Sequence, residues 1–317
     1  MTITRGIIPS AVKTLIYGAE GIGKTTLASK FPDPVFIDTE GSTKRLDVAR
    51  LPTPESWDQI INEVKYVYQH PECCKTLVID TADWAEILCI KNLFGDMGIE
   101  SPGYGKGYVM LAEKFQDLLT ELDKVIVAGI HVVMTAHAQM RKFEQPDEMG
   151  AYDRWELKLQ KKTAPLVKEW ADMVLFCNYK TIVVNVDNQG VQKGKNKAMG
   201  GERVIYTTHH NCWDAKNRFN LPDQLPMNYE SISSVIGEPE KPKPKWQLLV
   251  ELMEKDGVHE FDLQNLAGIK GWTSSLEPIE NYSSELIDFI MTEWEKVKEK
   301  IAEIKNETEI PFEVEGE

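Results

Sequence analysis

The sequence predicts an α/β fold, with a mostly parallel sheet, β-hairpin additions later in the chain and a small helical module at the carboxyl end. Three observations indicate it. Near the amino terminus, a glycine-rich segment typical of phosphate-binding loops stands between an apolar run and a helical pattern. Apolar runs and amphipathic helical patterns then alternate, as expected of a parallel sheet. A stretch rich in proline and lysine finally sets off a last region of helical pattern.

Short apolar runs are predicted as strands, over residues 15–17, 35–38, 76–80, 131–135, 173–177, 181–186 and 203–207. The last two are expected to form a hairpin across a lysine-rich loop. One helix should start at Thr53 and Pro54, since proline suits the first helical turn, and a later one should end near Gly129. Two segments are predicted to be irregular, the glycine-rich 95–107 and the polar 140–154.

Composition suggests where the chain divides. The predicted parts are an α/β domain over 1–237, a linker over 238–245, a small helical module over 246–305 and an acidic disordered tail over 306–317. The last helix of the module is expected to carry an apolar stripe from Leu286 to Val297.

Charge and hydropathy exclude some classes of protein. The formal net charge is −14, of which residues 238–317 contribute −11 and the remainder −3. A nearly neutral first part does not itself indicate nucleic-acid binding, although local basic loops could provide it. No apolar run approaches the ~20 residues of a membrane span. The amino terminus lacks an apolar signal region, so a cytoplasmic protein without membrane contact is predicted.

The glycine-rich segment fits the P-loop pattern G-x-x-x-x-G-K-[ST]. Its glycines allow a tight turn in which successive backbone N–H groups point at an anion. Lys24 is expected to reach the β- and γ-phosphates of ATP, and the Thr25 hydroxyl to hold Mg²⁺. The predicted nucleotide-binding residues are Gly18, Ala19, Glu20, Gly21, Ile22, Gly23, Lys24, Thr25 and Thr26.

Two acids follow predicted strands. Asp80 ends the third strand and is predicted to hold Mg²⁺ opposite Thr25, as a Walker-B aspartate does. One branch of P-loop enzymes has a water-orienting glutamate directly after that aspartate, but here the position is Thr81. The carboxyl ends of parallel strands meet at one edge of the sheet, where ligands bind. Glu40, two residues past the second strand, is therefore the predicted catalytic group that orients the attacking water.

The segment Phe-Ile-Asp-Thr-Glu at 36–40 resembles the strand-plus-glutamate motif of RecA-type recombinases, and the P-loop is similar to theirs. Over about residues 10–225 the chain resembles the short phage ATPases of the RecA-like class, which are associated with single-strand annealing and recombination. The resemblance implies that residues 1–237 form a RecA-like P-loop ATPase core. In that family the fourth strand ends in a glutamine that senses the γ-phosphate. Here His137 occupies that place, and a histidine can also donate to a phosphate oxygen.

A late segment also resembles the family. RecA-like recombinases and ring helicases carry a Lys-x-Lys or Lys-x-Arg pair that reaches the nucleotide of a neighbouring subunit. Lys216 and Arg218 match this pair, and alternation in an extended segment would put them on one face. The resemblance implies catalysis in trans within a homo-oligomer, either a ring or a filament.

In this family the loops after the third and fourth strands face DNA. Their counterparts are 95–107 and 139–155, with the candidate contacts Tyr104, Lys106, Tyr108, Arg141, Lys142, Phe143 and Trp155. Aromatic side chains interleaved with cations suit stacking on unpaired bases. Glu144, Asp147 and Glu148 in the second loop oppose this attraction.

The resemblance favours an ssDNA-stimulated ATPase that acts as an oligomer in phage DNA recombination, annealing or replication, in the host cytoplasm if phage-encoded. A ring-type DNA translocase or helicase would share every nucleotide-binding residue. A third hypothesis is an ATP-gated loader or adaptor with little turnover. Its C-terminal module would recruit a single-strand-binding protein or another replication protein.

Overall fold

A computed structural model describes residues 5–6, 10–144, 150–185, 196–237 and 244–308. The chain folds as two compact units, residues 1–241 and 242–317. Within the described ranges, no helix is both long and apolar enough to cross a membrane.

The first unit is built on one sheet. Its described strands are β1 (Lys13–Gly18), β2 (Pro34–Asp38), β3 (Ala49–Arg50), β4 (Thr76–Asp80), β5 (His131–Glu144), β6 (Ala151–Leu157), β7 (Met173–Asn185), β8 (Asn196–Tyr206), β9 (Lys216–Asn217) and β10 (Gln224–Pro226). The order is β10-β8-β7-β1-β5-β4-β2-β3, with β6 beside β5 and β9 beside β7. The strands from β7 to β3 in this order are parallel, and β6, β8, β9 and β10 add antiparallel pairs. The predicted fold class is confirmed.

Helices cover both faces of the parallel strands. They are α1 (Lys24–Ala28), α2 (Trp57–Gln69), α3 (Ala82–Phe94), α4 (Lys106–Val127) and α5 (Thr163–Trp170). Side chains alternate along a strand, so Leu15 and Tyr17 of β1 join the core on one face while Ile16 joins the core on the other. Burial on both faces explains why the parallel strands are continuous apolar runs.

The predicted start of α2 is wrong by a few residues. The helix begins at Trp57 rather than at Pro54, because the Ser56 hydroxyl accepts a hydrogen bond from the Gln59 N–H at 3.2 Å and caps it. α4 begins at Lys106, near the end of the segment predicted to be irregular. The rest of that segment consists of turns and one 3₁₀ turn, Gly95–Met97.

The prediction that residues 140–154 are irregular is wrong. β5 continues past its pairing with β1 and forms an antiparallel hairpin with β6, from Ala138 opposite Leu157 to Glu144 opposite Ala151. This hairpin extends beyond the two cores, and outward side chains such as Met140 and Lys142 are exposed. Hydrogen bonds between strand backbones do not require apolar side chains, so composition alone concealed the strands. Asp147 and Glu148 lie outside the described residues.

The two strands predicted at 173–177 and 181–186 are one strand. β7 runs through both, with a shift of register between Lys180 and Thr181 that marks a β-bulge. Its partner β8 begins at Asn196, earlier than the predicted 203. The lysine-rich loop between them falls mainly on 186–195, outside the described residues.

The second unit has its own core. Its described helices are α6 (Lys245–Asp256), α7 (Glu260–Ile269), α8 (Ser284–Thr292) and α9 (Trp294–Thr308), and its buried residues include Leu249, Leu263, Leu266, Ile290 and Trp294. The stripe predicted as one helix is shared between α8 and α9, which are separated at Glu293. α6 begins at the last residue of the predicted linker, and α9 extends three residues into the predicted tail. The remainder of both segments, 238–243 and 309–317, lies outside the described residues.

Candidate nucleotide-binding site

The P-loop leaves the sheet at the carboxyl end of β1. Gly18 there pairs with His137 of β5 on one side and with Cys177 of β7 on the other. A Cβ on Gly18 would lie 2.2 Å from the Cys177 carbonyl oxygen, so only glycine fits between these strands. Gly23 has a φ of 108°, in the left-handed region that favours glycine. The motif glycines are therefore required by backbone geometry.

Lys24 is buried beneath the loop. Its Nζ donates to the carbonyl oxygens of Gly18 at 3.3 Å and Ala19 at 3.0 Å. Burial lowers the pKa of Lys24, and the nearby carboxylates of Asp80 and Asp83 oppose that effect. The ammonium group thus lies inside the curl of the loop, where the phosphates of a bound nucleotide are expected.

Asp80 gathers hydroxyl groups from three elements. Its Oδ2 accepts from Thr25 Oγ1 at 2.9 Å and from Ser42 Oγ at 2.6 Å, and its Oδ1 accepts from Thr135 Oγ1. Hard oxygen donors of this kind fit Mg²⁺. The described residues contain no cluster of three or more histidine, cysteine, aspartate or glutamate side chains suited to a metal. A Mg²⁺ held by Thr25 and Asp80 would therefore take further ligands from phosphate and water.

Asp38 shapes the turn that presents Glu40. Its carboxylate accepts hydrogen bonds from the N–H groups of Gly41 at 2.7 Å, Ser42 at 3.1 Å and Thr43 at 2.9 Å. Burial raises the pKa of Asp38, but these hydrogen bonds outweigh burial and hold it below its ordinary value. Asp38, the buried last residue of β2, therefore has a structural role, since it anchors the turn that carries Glu40.

Glu40, His137 and Asp83 form a chain of titratable groups beside Asp80. His137 Nδ1 lies 2.8 Å from Asp83 Oδ2, and the His137 backbone N–H donates to Asp83 Oδ1 at 3.0 Å. His137 Nε2 lies 4.0 Å from Glu40 Oε1. Burial raises the Glu40 pKa, whereas the hydrogen bonds of His137 outweigh burial at Asp83 and hold its pKa low. Asp83 thus orients the imidazole, whose second nitrogen faces Glu40.

Comparison with known families bears on this geometry. Residues 10–219 match a family model described as an AAA domain, which spans more than half of the chain. The chain belongs to the AAA domain family.

The AAA domain match covers the P-loop, Asp80, Glu40, His137, Lys216 and Arg218. It confirms a P-loop nucleotide-binding domain of the AAA type. No curated protein matches the chain. Among solved structures, the flagellar accessory protein FlaH from Methanocaldococcus jannaschii is similar, with 11% identity, 66% of this chain and 88% of that chain covered, and a TM-score of 0.30.

Lys216 and Arg218 of the AAA domain lie away from their own P-loop. Lys216 begins β9 and Arg218 directly follows that strand. β9 pairs with the amino end of β7, at Met173 and Val174, whereas Gly18 pairs with Cys177 further along β7. Lys216 Nζ donates to the carbonyl oxygens of Ala171 at 2.6 Å, Glu169 at 3.1 Å and Lys168 at 3.3 Å, around the end of α5. Arg218 pairs with Asp172 at 2.8 Å. Both cations therefore hold the end of α5 and the residues directly after it against β9 and Arg218.

Lys216→Ala is expected to lower the free energy of unfolding by about 2 kcal/mol, because a charged donor to three carbonyl groups is removed. Arg218→Ala is the matched variant: its ion pair is largely exposed, so a loss of about 0–1 kcal/mol is expected. Urea unfolding of both variants measures the difference. Equal losses would contradict the assignment of Lys216 to the end of α5.

Several residues of the AAA domain site were not identified from the sequence. They are Asp38, Ser42, Asp83, Thr135 and Arg203, the last donating from Nη1 to the Ile22 carbonyl at 3.3 Å. Thr135 ends a predicted strand and Asp83 lies three residues past another, so the carboxyl-end rule that selected Glu40 could also have found them. Arg203 lies within a later strand that the sequence did not connect with the P-loop.

Two adjoining cavities beside the hairpin of β5 and β6 are lined by lysine and arginine side chains. The larger, about 570 Å³, is lined by Tyr104, Gly105, Lys106, Tyr108, Val109, Arg141, Gln160, Lys161 and Lys162. The second, about 330 Å³, shares Arg141 and Lys161 and includes Lys142 and Phe143. Lys161 and Lys162 were not among the residues predicted to contact DNA. Trp155 lines neither cavity and packs against Phe176 at a centroid distance of 6.2 Å.

Proposed function

We propose that this chain is an ssDNA-stimulated ATPase that acts as an oligomer in phage DNA recombination, annealing or replication. The observation that supports it most directly is the continuity of β5. That strand carries His137 beside the P-loop and, four residues later, Arg141 in the lining of the larger cavity. A change at the γ-phosphate end of a nucleotide could therefore move a cavity wall through one strand.

The chemistry follows from the arrangement of side chains. Lys24 binds the β- and γ-phosphates, while Thr25 and Asp80 hold Mg²⁺, which when bound neutralises charge on the phosphate oxygens. Glu40 orients the attacking water and takes up its proton, and burial favours this role by raising the pKa of Glu40. Asp83 holds His137 so that Nε2 faces Glu40, and from there this nitrogen could donate to the γ-phosphate.

A second link joins the hairpin to the P-loop strand. Asp214 accepts hydrogen bonds from Arg154 of β6 and, at 2.6 Å, from Lys168 of α5. The Tyr17 hydroxyl, next to Gly18, donates to the Asp214 carbonyl oxygen at 2.5 Å. Movement of the hairpin could therefore shift Tyr17, the residue that precedes the P-loop. This link supports stimulation of ATP turnover by a ligand that binds the hairpin.

The larger cavity is the proposed contact with single-stranded DNA. Its described lining holds four cations and two tyrosines and no carboxylate side chain. Cations can pair with phosphates, and Tyr104, whose side chain is fully exposed, offers a face for stacking on a base. The pattern suits a flexible single strand, because its unpaired bases are free to stack.

The paired variant Lys161→Ala with Lys162→Ala is expected to weaken ssDNA binding and to reduce the salt slope of log K by about 1.4, since two phosphate contacts are lost. Basal ATPase activity should be unchanged. The matched control replaces Lys65 and Lys91, which line neither cavity. Fluorescence anisotropy across salt concentrations measures the slope. An unchanged slope would exclude these lysines from the DNA contact.

The decisive experiment measures the ATPase rate with and without ssDNA across protein concentration. Stimulation by ssDNA together with a rate per subunit that rises with concentration supports the proposal. A rate insensitive to both would contradict it. Strand separation on a forked duplex would indicate a translocase or helicase instead.

A second candidate, an ATP-gated loader or adaptor with little turnover, is favoured by the contacts of Lys216. A cation already bound to three carbonyl groups would have to leave them before it reached a neighbour's nucleotide. The two candidates differ in mixtures of Lys216→Ala with Lys24→Ala subunits. Recovered hydrolysis supports a shared site in the oligomer. Absence of recovery at any ratio supports the loader.

A further inference from the structure

The two sides of the P-loop differ in chemistry. On one side, toward β5, β4 and β2, the chain places groups suited to the reacting end of a nucleotide. They are His137, Asp80 and Glu40. A triphosphate is a linear chain, so one whose γ-phosphate lies at that end must direct its nucleoside to the opposite side. The opposite side faces β7, β8 and β10.

A cavity of about 210 Å³ opens on that opposite side. It is lined by Gly23, Thr26, Leu27 and Lys30 of the P-loop and α1, and by Arg203, Met227, Asn228, Tyr229 and Glu230. The second group comes from β8 and from the segment that follows β10. The cavity thus starts at the phosphate-binding loop itself and continues away from Glu40.

The wall formed by the later segment is held in place. The Met227 N–H donates to the Arg203 carbonyl oxygen at 3.1 Å, which fastens the segment to β8. Tyr229 packs edge-on against Phe31, with ring centroids 5.3 Å apart. Asn228 Oδ1 accepts from the Ser231 N–H at 2.9 Å and closes the next turn. These three contacts hold the wall in place beside the P-loop.

Two side chains of the cavity lining reach the P-loop, Arg203 from β8 and Met227 from the segment after β10. A Cβ built on Gly23 would lie 3.0 Å from Arg203 Nη1 and 3.8 Å from Met227 Cε. A guanidinium group beside the loop suits a phosphate oxygen, because its N–H groups match the geometry of the anion. A thioether is polarizable and adapts to an aromatic surface. The order along the cavity is therefore cation first and apolar surface next, which matches phosphate followed by base.

We propose that this cavity binds the nucleoside of the nucleotide held by the P-loop. Met227 packs on the base, and Arg203 contacts the phosphate nearest the ribose. This inference rests on the proposed function only in that the P-loop binds a nucleoside triphosphate. It adds a binding subsite contributed by a segment that begins after the 10–219 family match ends.

The test is calorimetric titration of the full chain, in the presence of Mg²⁺, with ATP and with inorganic triphosphate. Inorganic triphosphate has the phosphates but no nucleoside. Met227→Ala is expected to weaken the binding of ATP about tenfold, the effect of losing roughly 1.4 kcal/mol of packing. Its affinity for inorganic triphosphate should be unchanged. Arg203→Ala is expected to weaken the binding of both ligands about tenfold, since Arg203 contacts a phosphate that both ligands carry.

Two further variants separate the subsite from stability. Met227→Leu keeps an apolar side chain of similar size and should bind ATP within about twofold of the wild type. Leu225→Ala removes an apolar side chain from β10 that packs against the same core but does not line the cavity, so both affinities should hold. An unchanged ATP affinity in Met227→Ala, or equal weakening of both ligands in that variant, would overturn the subsite. Failure of the wild type to bind either ligand would instead overturn nucleotide binding itself.

Discussion

Glu40→Gln is expected to bind ATP normally and to hydrolyse it about 10²–10⁴-fold more slowly. The amide keeps the size of the side chain but cannot accept a proton from water. Burial raises the Glu40 pKa, which makes its carboxylate a stronger base than an exposed glutamate. Single-turnover hydrolysis, measured beside equilibrium binding of ATP, separates the chemical step from affinity.

The controls for this result use other carboxylates of the same region. Glu20→Gln makes the same chemical change at an exposed side chain of the P-loop. The loop is expected to bind phosphate there through the backbone N–H and not through the carboxylate, so the rate should stay near that of the wild type. Glu86 is directed elsewhere: both its oxygens accept the Gln160 N–H at 3.1 Å, and burial raises its pKa to about 7. If Asp83→Asn or Glu86→Gln slowed hydrolysis more than Glu40→Gln, the assignment of Glu40 would be wrong.

Lys24→Ala is expected to weaken ATP binding about a hundredfold and to abolish measurable hydrolysis. The ammonium group makes charge-assisted hydrogen bonds to the β- and γ-phosphates, each worth about 1.5–3 kcal/mol, and no other described lysine lies within the loop. The fold should persist, because among the described residues Lys24 donates hydrogen bonds only to the carbonyl groups of Gly18 and Ala19. Calorimetric titration and a phosphate-release assay measure the two effects.

Lys91→Ala, an exposed lysine on α3, is the matched control and should bind and hydrolyse ATP as the wild type does. Thermal unfolding of both variants tests whether the folded state persists. Normal hydrolysis by folded Lys24→Ala would remove the basis for assigning ATP chemistry to this loop.

Features set by short stretches of chain could be predicted from the sequence alone. The P-loop was recognised because its glycines and Lys24 act through the backbone of a few consecutive residues. The parallel strands were recognised because burial on both faces leaves a continuous apolar run. Asp80 and Glu40 followed from a rule about strand ends that needs no knowledge of strand order.

The hairpin of β5 and β6 was decided by tertiary structure. Only its base packs against a core, through Ala138, Trp155 and Leu157. The side chains beyond the base are mostly polar, and that part is held by cross-strand backbone pairing and contacts such as Arg154 over Phe143. Backbone pairing and a cation–aromatic contact do not require apolar residues at regular spacing, so the sequence shows no periodic pattern there. The break between α8 and α9 was hidden for the opposite reason, since one apolar stripe runs through both helices.

Strand order decided which polar groups share the site. β5 inserts between β1 and β4, so Thr135 reaches Asp80 and His137 reaches Asp83, in each case across 54 or 55 positions of sequence. Arg203 reaches Ile22 across 181 positions because β8 folds back along β7. The sequence determined the phosphate-binding loop, since local backbone geometry requires particular residues there. Tertiary structure decided the partners of that loop, because any residue of suitable chemistry can be brought to it by the pairing of distant strands.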